Sequence, residues 1–405
     1  MNVKRIVFFT AILALALPQP GTSAGDPAPQ DPAPPPVTVA VRVSEAGRFV
    51  AGLGRSDFEI AEDGRPVEIL GLAEVEGNAV TRQEGQAIAA PAVSRRFHLL
   101  FQMYEYDPKI SEALLYFFEN ALRPGDTLEV QTPVTSYELT PQALAQKPRN
   151  VLAKETDAMV RRDINKSNFI YKSLIKDLRR LVTAIQGSNP IGGGDEAEGG
   201  MTSYFGLEQV LEQYRNSLTK LDALTGLDPG KVAAFAEALR MQEGRKFLFF
   251  FYQEEFRPEI NSQTLNNLVT ANQDNQTLLA DLHDLFQVYH RDVSFDVDRI
   301  VQAYCESGAA VDFLFLTRTP ERFGGLVMRR QSEDVFKLFS RIAEATGGLS
   351  ETAQNPLAEV KAAVQAAEAY YLITFAPVSP SRDGSSGKIA VTVKGKPYAV
   401  SYRRG

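Results

Sequence analysis

Apolar and polar residues alternate with period two over residues 37–43 (Val37-Thr38-Val39-Ala40-Val41-Arg42-Val43) and again, more briefly, at Phe58-Glu59-Ile60. Side chains of a strand point to opposite faces in turn, so this pattern predicts strands with one buried face. The first run ends near Glu45-Ala46-Gly47 and the second in Glu62-Asp63-Gly64-Arg65, where Asp-Gly signals a hairpin reversal. The segment as far as Glu76 is too small to bury a core alone. Three more strand-like runs, residues 370–375, 388–394 and 398–402, lie at the other end of the chain. The two ends, 37–92 and 370–405, are therefore expected to pair into one discontinuous β-sandwich.

Between them the pattern changes to strands alternating with helices, which predicts an α/β part with a doubly wound, mainly parallel sheet over residues 93–369. The short apolar runs 97–101, 127–130, 247–251 and 311–316 read as its buried strands. Residues 247–251 hold four Phe and one Leu, as a strand buried on both faces requires. Leu207, Val210, Leu211, Tyr214, Leu218 and Leu221 recur at helical spacing. So do Val335, Leu338, Phe339 and Ile342, ahead of a Gly347-Gly348 stop. Asn355-Pro356 reads as a helix cap and first turn. Residues 192–200 form a glycine-rich loop, and 261–306 is long enough to add helices.

The chain has 405 residues, 44% hydrophobic and 23% charged, which fits a folded protein of two or three domains and excludes collagen, coiled coil and wholly disordered chains. A net charge of -7 argues against nucleic acid as the main partner. The single Cys305 excludes an internal disulfide, and with three scattered His it scarcely furnishes a structural zinc site. Lys4 and Arg5 precede an apolar stretch from Ile6 to Leu17, followed by Thr22-Ser23-Ala24, with small residues where a processing peptidase needs them. Residues 1–24 are thus expected to be a signal peptide, too short to span a bilayer, and the mature protein to be periplasmic or extracellular without a membrane span. The proline-rich residues 25–36 read as a linker.

Several motifs occur in a characteristic order: Val50-Ala51-Gly52-Leu53, Asp57-Phe58-Glu59, Glu62-Asp63-Gly64-Arg65-Pro66, Leu122-Arg123-Pro124-Gly125-Asp126, Gly244-Arg245-Lys246 and Ala345-Thr346-Gly347-Gly348. In this order the chain resembles the von Willebrand factor type A domain, and more closely the exported bacterial proteins related to it, known mainly from Acidobacteria. The resemblance implies function at the C-terminal ends of the parallel strands, where the family builds a metal-ion-dependent adhesion site. That site uses Asp-x-Ser-x-Ser after the first strand, a Thr in a second loop and an Asp after the fourth strand, because hard Mg²⁺ takes oxygen ligands. The matching positions here are Gln102, Tyr104 and Tyr106, then Thr202, then Gln253. Only Thr202 is kept. Neutral amides and phenols replace the carboxylates and small hydroxyls, so no metal or other cofactor is expected. Glu105, Asp107, Glu254 and Glu255 flank these positions and could form a rearranged acidic site.

Elsewhere, His283 and His290 lie seven apart, about 10 Å along a helix and too far for one ion, so a solvated face is expected. His98 reads as a packed or edge residue. No nucleophile elbow, phosphate loop or His-Glu-x-x-His occurs, which disfavours an enzyme. Tyr104, Tyr106 and Tyr252 are expected at strand ends where their side chains reach solvent and can anchor a partner, unless the rings plug the vacated metal cavity. The leading expectation is a non-enzymatic protein-binding module. Its metal-independent face comprises Gln102, Tyr104, Glu105, Tyr106, Asp107, Thr202, Gln253 and Glu254. The alternative is a structural or assembly component that uses the α/β core as a scaffold.

Overall fold

The computed structural model describes residues 35–87, 93–187, 204–289, 295–320, 327–353, 355–378 and 387–403. The expectations for residues 1–24, most of the linker, the glycine-rich loop, Thr202 and His290 lie outside the described residues.

The chain begins with β1 (Val37–Glu45), β2 (Arg48–Phe49), β3 (Phe58–Glu62), β4 (Arg65–Pro66), β5 (Ile69–Glu76) and β6 (Ala79–Gly85). Its α/β part runs β7 (Arg95–Gln102), α1 (Lys109–Asn120), β8 (Thr127–Gln131), β9 (Ser136–Leu139), α2 (Pro141–Gln146), α3 (Arg149–Gly187), α4 (Tyr204–Thr225), α5 (Pro229–Arg240) and β10 (Arg245–Gln253). It continues through β11 (Phe256–Glu259), α6 (Ser262–Ala271), α7 (Gln276–Tyr289), α8 (Val297–Ser307), β12 (Ala309–Leu316), β13 (Val327–Arg330), α9 (Glu333–Thr346), β14 (Ser350–Ala353) and α10 (Pro356–Glu368). β15 (Ala369–Phe375), β16 (Ile389–Val393) and β17 (Ala399–Tyr402) follow.

The ends of the chain pair as their alternation predicts. β15 lies between β1 and β5, antiparallel to both, with Val37 opposite Phe375 and Val75 opposite Tyr370. A second sheet has the order β16-β3-β4. Val39, Val41, Leu72, Tyr371 and Ile373 of the first sheet share a core with Phe58, Ile60, Ile389 and Val391 of the second. The β3–β4 reversal places Asp63 and Gly64 at φ 49° and 78°, the left-handed conformation that an Asp-Gly turn tolerates.

The central sheet has the order β9-β8-β7-β10-β12-β14, with β9 alone antiparallel. One face is covered by α1, α3 and α10, through Phe117, Val160 and Val364 among others. The other is covered by α5, α8 and α9, through Val232, Ile300 and Leu338. Residues 246–253 of β10 are all buried, because this strand has helices on both sides. Asn355 caps α10 by accepting from Leu357 N, with Pro356 in the first turn. The chain winds one way from β7 and the other way from β10, which creates a crevice at the C-terminal ends of the strands.

α3 is 39 residues long, about 58 Å at helical rise, and outruns the sheet it starts on. Its first half packs on the sheet. Its second half, with Tyr171, Ile175, Leu178, Val182 and Ile185, forms a separate core with α4, α6 and α7. These helices make a cap above the strand ends. At the opposite end, Arg95 and Asp126 form a fully buried pair at 2.7 Å. Gly347 ends α9 at φ 78°, and a Cβ there would meet the Tyr402 backbone of β17 at 2.8 Å. Among the described residues, no helix is long and apolar enough to cross a membrane.

Candidate functional site

β7 and β10 lie side by side, with Gln102 opposite Tyr252, and both deliver their next residues into the crevice. Gln253, the last residue of β10, turns its side chain back across this end. Its Oε1 accepts from the backbone N–H of Tyr104 at 3.1 Å and of Glu105 at 2.9 Å, while Nε2 donates to Glu105 O at 3.1 Å. An amide can do both, whereas a carboxylate could only accept. Gln253 is thus a bracket that fixes the loop after β7.

A chain of hydroxyls completes the arrangement. Gln102 Nε2 donates to Tyr104 Oη at 2.7 Å. Tyr104 Oη in turn reaches Thr225 O at 3.0 Å and Glu255 Oε1 at 3.2 Å, and Tyr252 Oη donates to the same carboxylate oxygen at 2.9 Å. The Tyr104 ring stacks on Tyr171 of α3, centroids 5.1 Å apart. Burial pushes the Tyr171 phenol up to about 12, and its hydroxyl donates to Phe256 O at 3.2 Å.

These positions correct two expectations. Tyr104 and Tyr252 do not reach solvent, since both are 0% exposed. Gln253, Glu254, Glu255 and Phe256 are buried as well. The cause is the helical cap: Tyr171 from α3 and Tyr214 from α4 bond to the carbonyls of Phe256 and Pro258 and hold β11 beneath them. Gln102, Glu105, Tyr106 and Asp107 remain half-buried.

The flanking carboxylates are brought near one another but each has its own partners. Glu254 Oε1 is 2.9 Å from Arg330 Nε, and Oε2 accepts from Arg318 N at 3.0 Å. Glu105 is 3.4 Å from Arg318 Nη2 and 3.6 Å from Lys172 Nζ. Asp107 Oδ1 accepts from Lys109 N at 2.9 Å and so opens α1. Tyr106 donates its hydroxyl to Asp157, and burial together with that carboxylate raises its pKa. Among the described residues, no three His, Cys, Asp or Glu side chains converge as metal ligands.

His98 is packed, as its strand position suggests. It is 3% exposed, with Nδ1 3.1 Å from Glu129 Oε2 and Nε2 3.1 Å from Gln242 Oε1. The hydrogen bond from His98 holds the Glu129 carboxyl below its usual range. His283 is exposed on α7. Thr225, Tyr171, Lys172, Arg318 and Arg330 were not visible as site residues in the sequence. All of them lie far from residues 102–107 along the chain and carry no motif. No family model, curated protein or solved structure matches the chain.

Proposed function

We propose that the protein is an exported, non-enzymatic binding protein of the von Willebrand factor A type whose strand ends work without a metal ion. The observation that carries this reading is the Gln253 bracket, which commits the side chain at the resembled family's aspartate position to Tyr104 and Glu105. The strand order and the antiparallel β9 support the kinship. Partner contact then falls to the rim that stays open, Glu105, Tyr106 and Asp107.

Thermal unfolding of the purified mature protein in chelator and in millimolar Mg²⁺, Ca²⁺ or Mn²⁺ tests the metal-independent site. An unchanged Tm is expected. A ligand at 100 times its Kd adds about 2.7 kcal/mol to stability, so a clear upward shift would overturn the reading.

Burial of residues 253–256 favours a second reading, an assembly component with the α/β core as scaffold. Crosslinks in envelope complexes that map to the sandwich edges β6 and β16 or to the helical cap, and avoid residues 105–107, would establish it over the first.

A further inference from the structure

The end of the central sheet opposite the crevice gathers positive charge. Arg245 and Lys246 open β10, and both reach Gly308, the residue at φ 70° that ends α8. Arg245 Nη1 is 3.4 Å from Gly308 O, and a Cβ placed on Gly308 would lie 3.9 Å from Lys246 Nζ and 3.9 Å from Arg403 Nη1. Three cationic tips thus surround one residue that has no side chain. Lys246 is 6% exposed, and its ammonium donates to Gln242 O at 2.8 Å. Arg245 Nε is buried without a hydrogen-bond partner among the described residues. Neither Arg245 nor Lys246 has an ion pair among them. Burial, and then the charges of Arg245, Arg403 and Arg96, push Lys246 down to about 8. The tips edge a cavity of about 330 Å³ at the seam between β10 and the sandwich strands β1 and β15.

We propose that this cavity binds a phosphate dianion, either free or as the terminal group of a monoester. The site lies at the other end of β10 from the Gln253 bracket and does not depend on the partner rim at residues 105–107. Nearby negative charge does not answer the cluster. Glu243 is the one carboxylate among the lining residues, and it is exposed. Glu306 acts on Arg403, and Asp312, shared with Arg42, acts on Arg245 from inside the sheet. Lys246 has only cations as charged neighbours. The C-terminal ends of α5 and α8, whose flanking carbonyls Gln242 O and Gly308 O take these donors, supply about half a negative charge each. Donors remain for a ligand, since an ammonium has three and a guanidinium five. A monoanion leaves part of the cluster uncompensated. A dicarboxylate spreads its charge over two centres, whereas the three tips converge on one. A phosphoryl group concentrates its charge and turns several acceptor oxygens toward all three tips.

Calorimetric titration of the full mature chain at low ionic strength, with inorganic phosphate and with glycerol 3-phosphate, tests the proposal. Saturable binding at one site is expected, weakened about tenfold or more by Lys246→Gln and by Arg403→Gln. Lys220→Gln, on the exposed side of α4, should leave it unchanged. Because Lys246→Gln removes a charge buried among like charges, its Tm without phosphate should equal or exceed the parent's. Equal affinity for the two probes assigns the site to the free ion, and tighter binding of the ester assigns it to the phosphoryl group of a larger molecule. No saturation by either probe at millimolar concentration overturns the proposal, as does binding that Lys246→Gln leaves intact. Tighter binding of succinate than of phosphate overturns the phosphate assignment. A parent that ignores phosphate, beside a Lys246→Gln variant with a lowered Tm, would show that these cations only brace the carbonyls at the helix ends.

Discussion

Gln253 and Glu105 are joined by two hydrogen bonds in opposite senses, Glu105 N to Gln253 Oε1 at 2.9 Å and Gln253 Nε2 to Glu105 O at 3.1 Å. This closed ring ties the end of β10 to the loop after β7. One residue at the end of β10 and one in the loop after β7 therefore define the site's rigidity.

Replacing Gln253 by Leu removes the acceptor for two backbone N–H groups and the donor for one carbonyl. Leaving such buried groups unpaired costs about 1–3 kcal/mol each before relaxation. Gln253→Leu should lower unfolding stability by about 2–4 kcal/mol. Gln253→Asp, shorter and unable to donate, should also destabilise, and Mg²⁺ should not restore it. Urea unfolding with and without the ion gives both answers.

The sequence showed the parts of this site that lie in short apolar strands and missed the parts contributed by helices. Residues 247–251 could be placed because a strand buried on both faces admits little but apolar side chains. The Asp63-Gly64 hairpin and the Asn355 cap were legible because each needs a particular backbone chemistry. α3 was not. Its apolar residues serve two cores in succession, first Leu152 and Val160 and then Tyr171 and Leu178, in a stretch dense with Arg and Lys. Without that helix, Tyr104 reads as an exposed anchor. With it, the same ring becomes an interior spacer.

Arg95 and Asp126 are both fully buried, and Arg123 N also donates to Asp126 at 2.7 Å. Removing one partner strands the other charge. Arg95→Met should cost about 3–5 kcal/mol, and adding Asp126→Asn should recover part of it. A double-mutant cycle by guanidinium unfolding measures the coupling.

Burial raises the Asp312 carboxyl from 3.8 to about 7, against the opposing pull of Leu349 N–H, Arg245 and Arg42. A carboxyl with a raised native pKa holds its proton more tightly when folded, so its contribution is intact below about pH 4 and is lost as pH rises through about 7. The loss amounts to about 4 kcal/mol at most, at 1.36 kcal/mol for each tenfold change in proton affinity. Asp312→Asn should therefore match the parent at pH 4 and exceed its stability at pH 8. Urea midpoints at the two pH values decide this, and a gain confined to acid pH would contradict it.

Gly347→Ala places a Cβ within 2.8 Å of the Tyr402 backbone at a left-handed φ. The strained turn and the contact together should cost more than about 2 kcal/mol. Because Tyr402 belongs to β17, hydrogen exchange should quicken in the sandwich as well as at the end of α9.

The position of β15 between β1 and β5 also sets a timetable for folding. β5 leaves the ribosome almost 300 residues, and β1 more than 300, before the strand that joins them, so neither can pair with it until the chain is nearly made. The intervening α/β part has all of its strands by then and, once assembled, brings residues 76 and 369 together. The sandwich then shuts last, as a clasp over a structure already made. A chain truncated before Ala369 would keep a foldable middle and leave two apolar strand edges open to neighbouring molecules.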